Sequence, residues 1–140
     1  MFSHIMVPVD LRHTDRLERA LAVTAEEAKH HDAKVTFVSA SNATPGEIAH
    51  SPDEFREKLA SFAKDKGQAG GYTADAHALI LHDTTADLDH ALVEASKEIN
   101  ADLVIMASHR PNFADYFWSS NGGAVASHAN ASVMIVREAE

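Results

Sequence analysis

At 140 residues, 45% of them apolar, the chain has material for one core of ordinary size and is short for two domains. Twenty-one acidic residues against twelve basic ones give a formal charge of −9, with no basic face gathered anywhere, which argues against a nucleic-acid partner. The absence of cysteine excludes disulfides, thiolate nucleophiles and thiolate metal sites. No apolar run approaches the length of a membrane span, and MFSHIMVPVD lacks the basic region and long apolar stretch of a signal peptide, so the expectation is a cytoplasmic protein without membrane insertion.

His4–Val9 (HIMVPV) reads as a first strand ending at Asp10. From Asp15 to Lys29 apolar or small residues recur at Leu17, Ala20, Leu21, Thr24, Ala25 and Ala28, the spacing of an amphipathic helix that Thr14 or Asp15 would cap. Lys34–Ala40 (KVTFVSA) is β-branched and aromatic, hence a second strand, followed by a polar loop broken by Pro45 and Gly46. Ser51-Pro52-Asp53-Glu54 opens a second helix with the stripe Phe55, Leu59, Phe62 and Ala63, which Lys66-Gly67 is expected to close. Tyr72–Leu81 supplies a third strand. A third helix follows the caps offered by Thr84 to Asp87, with Leu88, Leu92, Ala95 and Ile99 facing inward. Asp102–Met106 is a strand apolar enough to be covered on both sides, Gly122 to Ala129 forms a last helix, and Ser132–Val136 a last strand. Strands alternating with amphipathic helices predict an α/β fold: an open, mostly parallel five-stranded sheet with helices on both faces, as one domain over residues 1–140.

In such sheets ligands lie beyond the carboxyl ends of the strands, where Pro8-Val9-Asp10, Ala40-Ser41 and Met106-Ala107-Ser108-His109-Arg110-Pro111 arrive. Asp10 is placed either to accept from a ribose hydroxyl or hold a divalent cation through water, or to cap the turn into the first helix. Ser119-Ser120-Asn121-Gly122-Gly123 precedes a helix, where unpaired N–H groups can bind phosphate; the plainer role is a helix cap. Arg110 is suited to pair with a phosphate or with a surface acid. Phe113, Tyr116, Phe117 and Trp118 crowd the same loop and would pack on the sheet, cover a ligand or face a partner. Ten scattered histidines form no metal motif, and neither GxGxxG, a P-loop nor a nucleophile elbow is present.

With these residues in hand, the chain resembles the universal stress proteins over almost its whole length, from IMVPVD to SVMIVR. The nucleotide-binding branch of that family carries Gly, two residues, Gly, nine residues, Gly, then Ser or Thr; the matching places here hold Ala107, Arg110 and, after eight residues, Ser119-Ser120. The ASHRP wording resembles a small bacterial subgroup in which Arg-Pro replaces the second Gly. The resemblance implies binding of ATP or AMP, with or without Mg2+ held by Asp10. It puts Pro8, Val9 and Asp10 near the ribose and adenine, Ala40 beside the base, and Met106 and Ala107 along the nucleotide. Arg110, Ser119, Ser120, Asn121 and Gly122 would then meet the phosphates. It also implies a stress-response regulator that dimerises through its last strand, with at most slow, incidental ATP hydrolysis. The competing expectation is a nucleotide-free dimer that meets an unidentified protein partner through its aromatic loop and dimer surface.

Overall fold

The computed structural model describes residues 1–42, 44–46, 48–108 and 121–138. Five strands, β1 (His4–Pro8), β2 (Lys34–Ser41), β3 (Ala74–Ile80), β4 (Leu103–Ser108) and β5 (Ser132–Arg137), form one sheet in the order β3-β2-β1-β4-β5, every neighbouring pair parallel. Four helices connect them: α1 (Glu18–His31), α2 (Pro52–Gly70), α3 (Thr84–Glu98) and α4 (Asn121–His128). The expected architecture is present.

Alternation along the strands sorts side chains between two cores. Ile5, Val7, Val35, Phe37, Leu103, Ile105 and Ala107 face α1 and α2, joined by Ala20, Ala28, Leu59 and Ala63. Met6, Val38, Val104 and Met106 face the other way, against Leu88, Leu92, Ala95 and Val125 of α3 and α4. Every residue of β1 and of β4 is buried, as both-face coverage of a parallel sheet requires.

α2 starts as expected. Ser51 is extended, its Oγ accepts from Glu54 N–H at 3.1 Å, Pro52 follows at the first helical turn, and Glu54 Oε2 accepts in return from His50 N–H at 3.3 Å. Of the predicted stripe, Phe55, Leu59 and Ala63 are buried, while half-buried Phe62 meets Phe37 edge to face at 5.3 Å.

Two expectations need correcting. Lys66-Gly67 does not close α2: the helix runs on to Gly70 and ends at Gly71, whose φ of 74° is the left-handed cap. Gly67 is there for close approach, since a Cβ would stand 2.8 Å from the Tyr72 carbonyl oxygen and 3.0 Å from Ala74 Cβ. Thr14 and Asp15 do not cap α1, because they lie in a separate 3-10 turn (Thr14–Arg16) and α1 begins after Leu17, which offers no side-chain cap. The cap comes from the far end of the sequence. Glu138, just past β5, accepts from Ala20 N–H at 3.0 Å and Arg19 N–H at 3.2 Å, placing a carboxylate where the helix dipole favours it. Strand and helix limits elsewhere shift by a residue or two; β4 extends to Ser108, whose Oγ accepts from Arg137 Nη1 at 3.1 Å.

At the opposite end of the sheet, His4 is buried with Nε2 2.7 Å from Thr36 Oγ1. Asp102 fastens the same corner, accepting from Ser3 N–H and His4 N–H at 2.9 and 3.0 Å. Burial holds the His4 imidazole below its ordinary pKa of 6.5, helped by Lys34 and opposed by the Ile99 carbonyl, Asp102 and Asp75.

Two outcomes follow. Ser51→Ala should lower unfolding free energy by about 1 kcal/mol, read from the urea midpoint, and an unmoved midpoint would show that the cap bond contributes nothing. For His4, the unfolded chain takes up a proton below pH 6.5 that the folded chain resists, so its contribution to stability falls as pH drops through that value. His4→Gln should therefore show a shallower fall in Tm on acidification across pH 6.5 than the parent; equal slopes would remove His4 from the account.

Candidate functional site

The strand order reverses about β1, which has β2 on one side and β4 on the other, so a crevice is expected beyond its carboxyl end. A cavity of about 290 Å3 lies there, on the β2 side, between the turn after β1 and the connection from β2 to α2. Asp10, Leu11 and Arg12 form one wall and Ser39 to Asn42 another. Ile48 and Ala49 of the connection and Phe55 from the start of α2 close it with apolar surface.

Local geometry explains each wall. Val9 N–H donates to the Val38 carbonyl at 2.8 Å, prolonging the β1–β2 pairing by one residue, and the chain then turns with His13 N–H on the Asp10 carbonyl. The carboxylate of Asp10, 5% exposed, accepts at Oδ1 from Arg12 N–H at 3.0 Å and Arg12 Nε at 3.1 Å, and at Oδ2 from Arg12 Nη2 at 3.0 Å. This is a bidentate fork on a buried carboxylate, strong because both partners are charged and the geometry is fixed by the turn. On the facing wall, Asn42 Oδ1 accepts from Thr44 N–H at 3.1 Å and Thr44 Oγ1 at 2.6 Å, a turn that bends the chain back over the cavity. Gly46 N–H bonds the Ala49 carbonyl at 2.9 Å, and Lys58 Nζ of α2 donates to the Ile48 carbonyl, tying this connection to the helix.

Of the residues expected to touch a ligand, Asp10 and Ala40 line this cavity together. Pro8 and Val9 are buried at the end of β1, and Met106 and Ala107 are buried in β4; none of the four lines it. Asn121 and Gly122 open α4. Arg110, Ser119 and Ser120 lie outside the described residues, as do Phe113, Tyr116, Phe117 and Trp118. As for a divalent cation at Asp10, both carboxylate oxygens are occupied by Arg12, and no group of three His, Asp or Glu side chains among the described residues could hold a metal ion. Sequence reasoning missed Arg12, Asn42 and Phe55 as wall residues. A signal existed for Arg12: a carboxylate buried at a strand end needs a cation, and Arg12 is the nearest in sequence.

The model of the universal stress protein family matches residues 1–137. The chain belongs to the universal stress protein family. It is 24% identical over 143 aligned positions to universal stress protein G of Shigella flexneri, covering 98% of this chain and all of the relative. Among solved structures, it is similar in fold to a universal stress protein in complex with cAMP, at a TM-score of 0.71 and 20% identity over 99% of both chains. It also resembles the universal stress protein from Archaeoglobus fulgidus in complex with dAMP, at a TM-score of 0.66 and 23% identity over 95% of this chain and 96% of that one.

No helix among the described residues is long and apolar enough to cross a membrane. Phe55, 3% exposed, ties the cavity wall to the core. Phe55→Ala should cost about 3–5 kcal/mol, seen as a lowered midpoint in chemical denaturation; a loss well under 1 kcal/mol would mean that the start of α2 is not anchored by this ring.

Proposed function

We propose that this universal stress protein binds an adenine nucleotide, ATP or AMP, in the cavity beyond β1 and β2, and acts as a stress-response regulator without dedicated catalytic machinery. The observation that carries the reading is the cavity itself. One wall is the backbone and small side chain of Ala40 with hydroxyls and an amide beside it, and the other is a charged turn at Asp10 and Arg12. A flat base needs a shallow apolar slot with a few polar groups, and a ribose or phosphate needs fixed donors and acceptors; this cavity presents both. The complexes of family members with cAMP and dAMP support the choice of an adenine nucleotide. Under this reading Met106 and Ala107 run along the nucleotide, and Arg110, Ser119, Ser120, Asn121 and Gly122 meet its phosphates. No general base stands beside Asp10 among the described residues lining the cavity, so hydrolysis, where it occurs, is slow.

A cytoplasmic homodimer paired through β5 is part of the proposal. β5 is an end strand of the sheet, and Ile135 on it is 39% exposed, an apolar side chain at an edge that a second copy would cover. The nucleotide-free alternative, a dimer meeting a protein partner through Phe113–Trp118, makes the opposite forecast for ligand binding.

Calorimetric titration of nucleotide-stripped protein with AMP and with ATP separates the two. Saturable binding is expected, weakened at least about tenfold by Ala40→Phe, which fills the slot, while the unfolding transition of the variant stays cooperative. Titrations without heat and without competition by either nucleotide would hand the function to the nucleotide-free dimer.

A further inference from the structure

Among the described residues, the buried polar side chains find their hydrogen bonds inside the fold, with one exception. His4 Nε2 meets Thr36 Oγ1 at 2.7 Å, Asp10 is paired with Arg12, Thr24 Oγ1 donates to the Ala20 carbonyl at 2.8 Å, Ser96 Oγ donates to the Val93 carbonyl at 2.6 Å, and Ser108 Oγ accepts from Arg137. Ser39 is the exception: it is 1% exposed, and its hydroxyl bonds to no described residue. A buried hydroxyl without a partner costs folding free energy, so stability does not account for it. Its place in the fold does. Side chains alternate along β2, so Val35 and Phe37 turn to the face covered by α1 and α2, and Ser39 comes next on that face, while Ala40 packs on the opposite one. An apolar residue would continue the pattern; a hydroxyl stands there instead and lines the cavity, on the side that Phe55 of α2 closes.

We propose that Ser39 is a specificity-determining residue of this cavity, its hydroxyl hydrogen-bonding the base at the edge farthest from the sugar, so that the ligand class is a purine with a hydrogen-bonding substituent on its six-membered ring. This inference rests on the nucleotide reading and deepens it by naming the side chain that reads the base. Under that reading the ligand runs across the sheet, from phosphates on the segment after β4, past a ribose at Asp10, to a base beside Ala40. Ser39, on β2 and facing α2, then meets the edge opposite the nitrogen that carries the sugar, where adenine bears its amino group. The hydroxyl accepts from that amino group, and the ligand supplies the partner that the fold does not. A site that hydrogen-bonds a substituent discriminates against the analogue lacking it, because the buried group is then left unpaired.

The test titrates the full, nucleotide-stripped chain and its Ser39→Ala variant with AMP and with purine riboside monophosphate, which carries hydrogen in place of the amino group. The parent should prefer AMP by about fivefold or more, and Ser39→Ala should bring that preference to within about twofold, the loss falling on AMP alone. A merely structural Ser39 would weaken both ligands together and keep their ratio; that result, or a parent that binds the two alike, would overturn the proposal. Thermal unfolding of the ligand-free proteins gives a readout that needs no nucleotide. The Tm of Ser39→Ala should rise or stay within about 2 °C of the parent's, because no hydrogen bond is lost. A larger fall would mean that the hydroxyl already has its partner in the fold, and the inference would fail. A parent that binds neither compound takes down the nucleotide reading and this inference with it, whereas a parent that binds both at equal affinity leaves that reading standing and removes Ser39 alone.

Discussion

The burial of β1 on both faces is the constraint from which the rest of this molecule follows. Its five residues are all buried, with a strand on either side and helices above and below. A strand so placed must satisfy its hydrogen bonds to two neighbours and its side chains to two cores at once, which fixes its register to within one residue. Because the chain leaves β1 toward β2 and later returns to β4 on its other side, the connections on its two flanks lie on opposite faces. The end of β1 is therefore a place where a groove opens, and Asp10 stands at its lip.

Much of this was legible in the sequence because it rests on periodicity. HIMVPV and DLVIM are runs of apolar residues with no polar alternation, which only both-face burial explains, and the 3.6-residue stripes of α2 and α3 identify their inner residues. Ser51-Pro52-Asp53-Glu54 announced a helix start through local chemistry alone, and the observed cap uses those residues. What escaped was non-local. Gly67 looks like a stop signal, yet its reason is the return of the chain at Tyr72 and Ala74. The cap of α1 is Glu138, more than a hundred residues away, and no local pattern could have named it.

The candidate site divides in the same manner. Asp10 and Ala40 were readable because strand ends can be located from the hydrophobic pattern and the fold class says which ends face a ligand. Arg12 was readable only as the cation nearest to Asp10; that it lines the cavity depends on the direction its side chain takes, back onto the preceding acid. Phe55 read as core, and it is; that the same ring also walls the cavity depends on how the β2–α2 connection folds over it, held by Asn42, Thr44 and Lys58.

The carboxylate of Glu138 on the first turn of α1 also bears on how the fold is completed. The two groups it joins are separated by 118 residues, so the contact closes one of the longest loops the chain contains, and such closures come late because their entropy is lost before any stabilisation returns. Until β5 has paired with β4, the leading N–H groups of α1 have only water for a partner. The helix nearest the start of the sequence is thereby finished by a residue close to its end. Fraying at the end of β5 therefore takes with it the carboxylate that caps the entrance to α1.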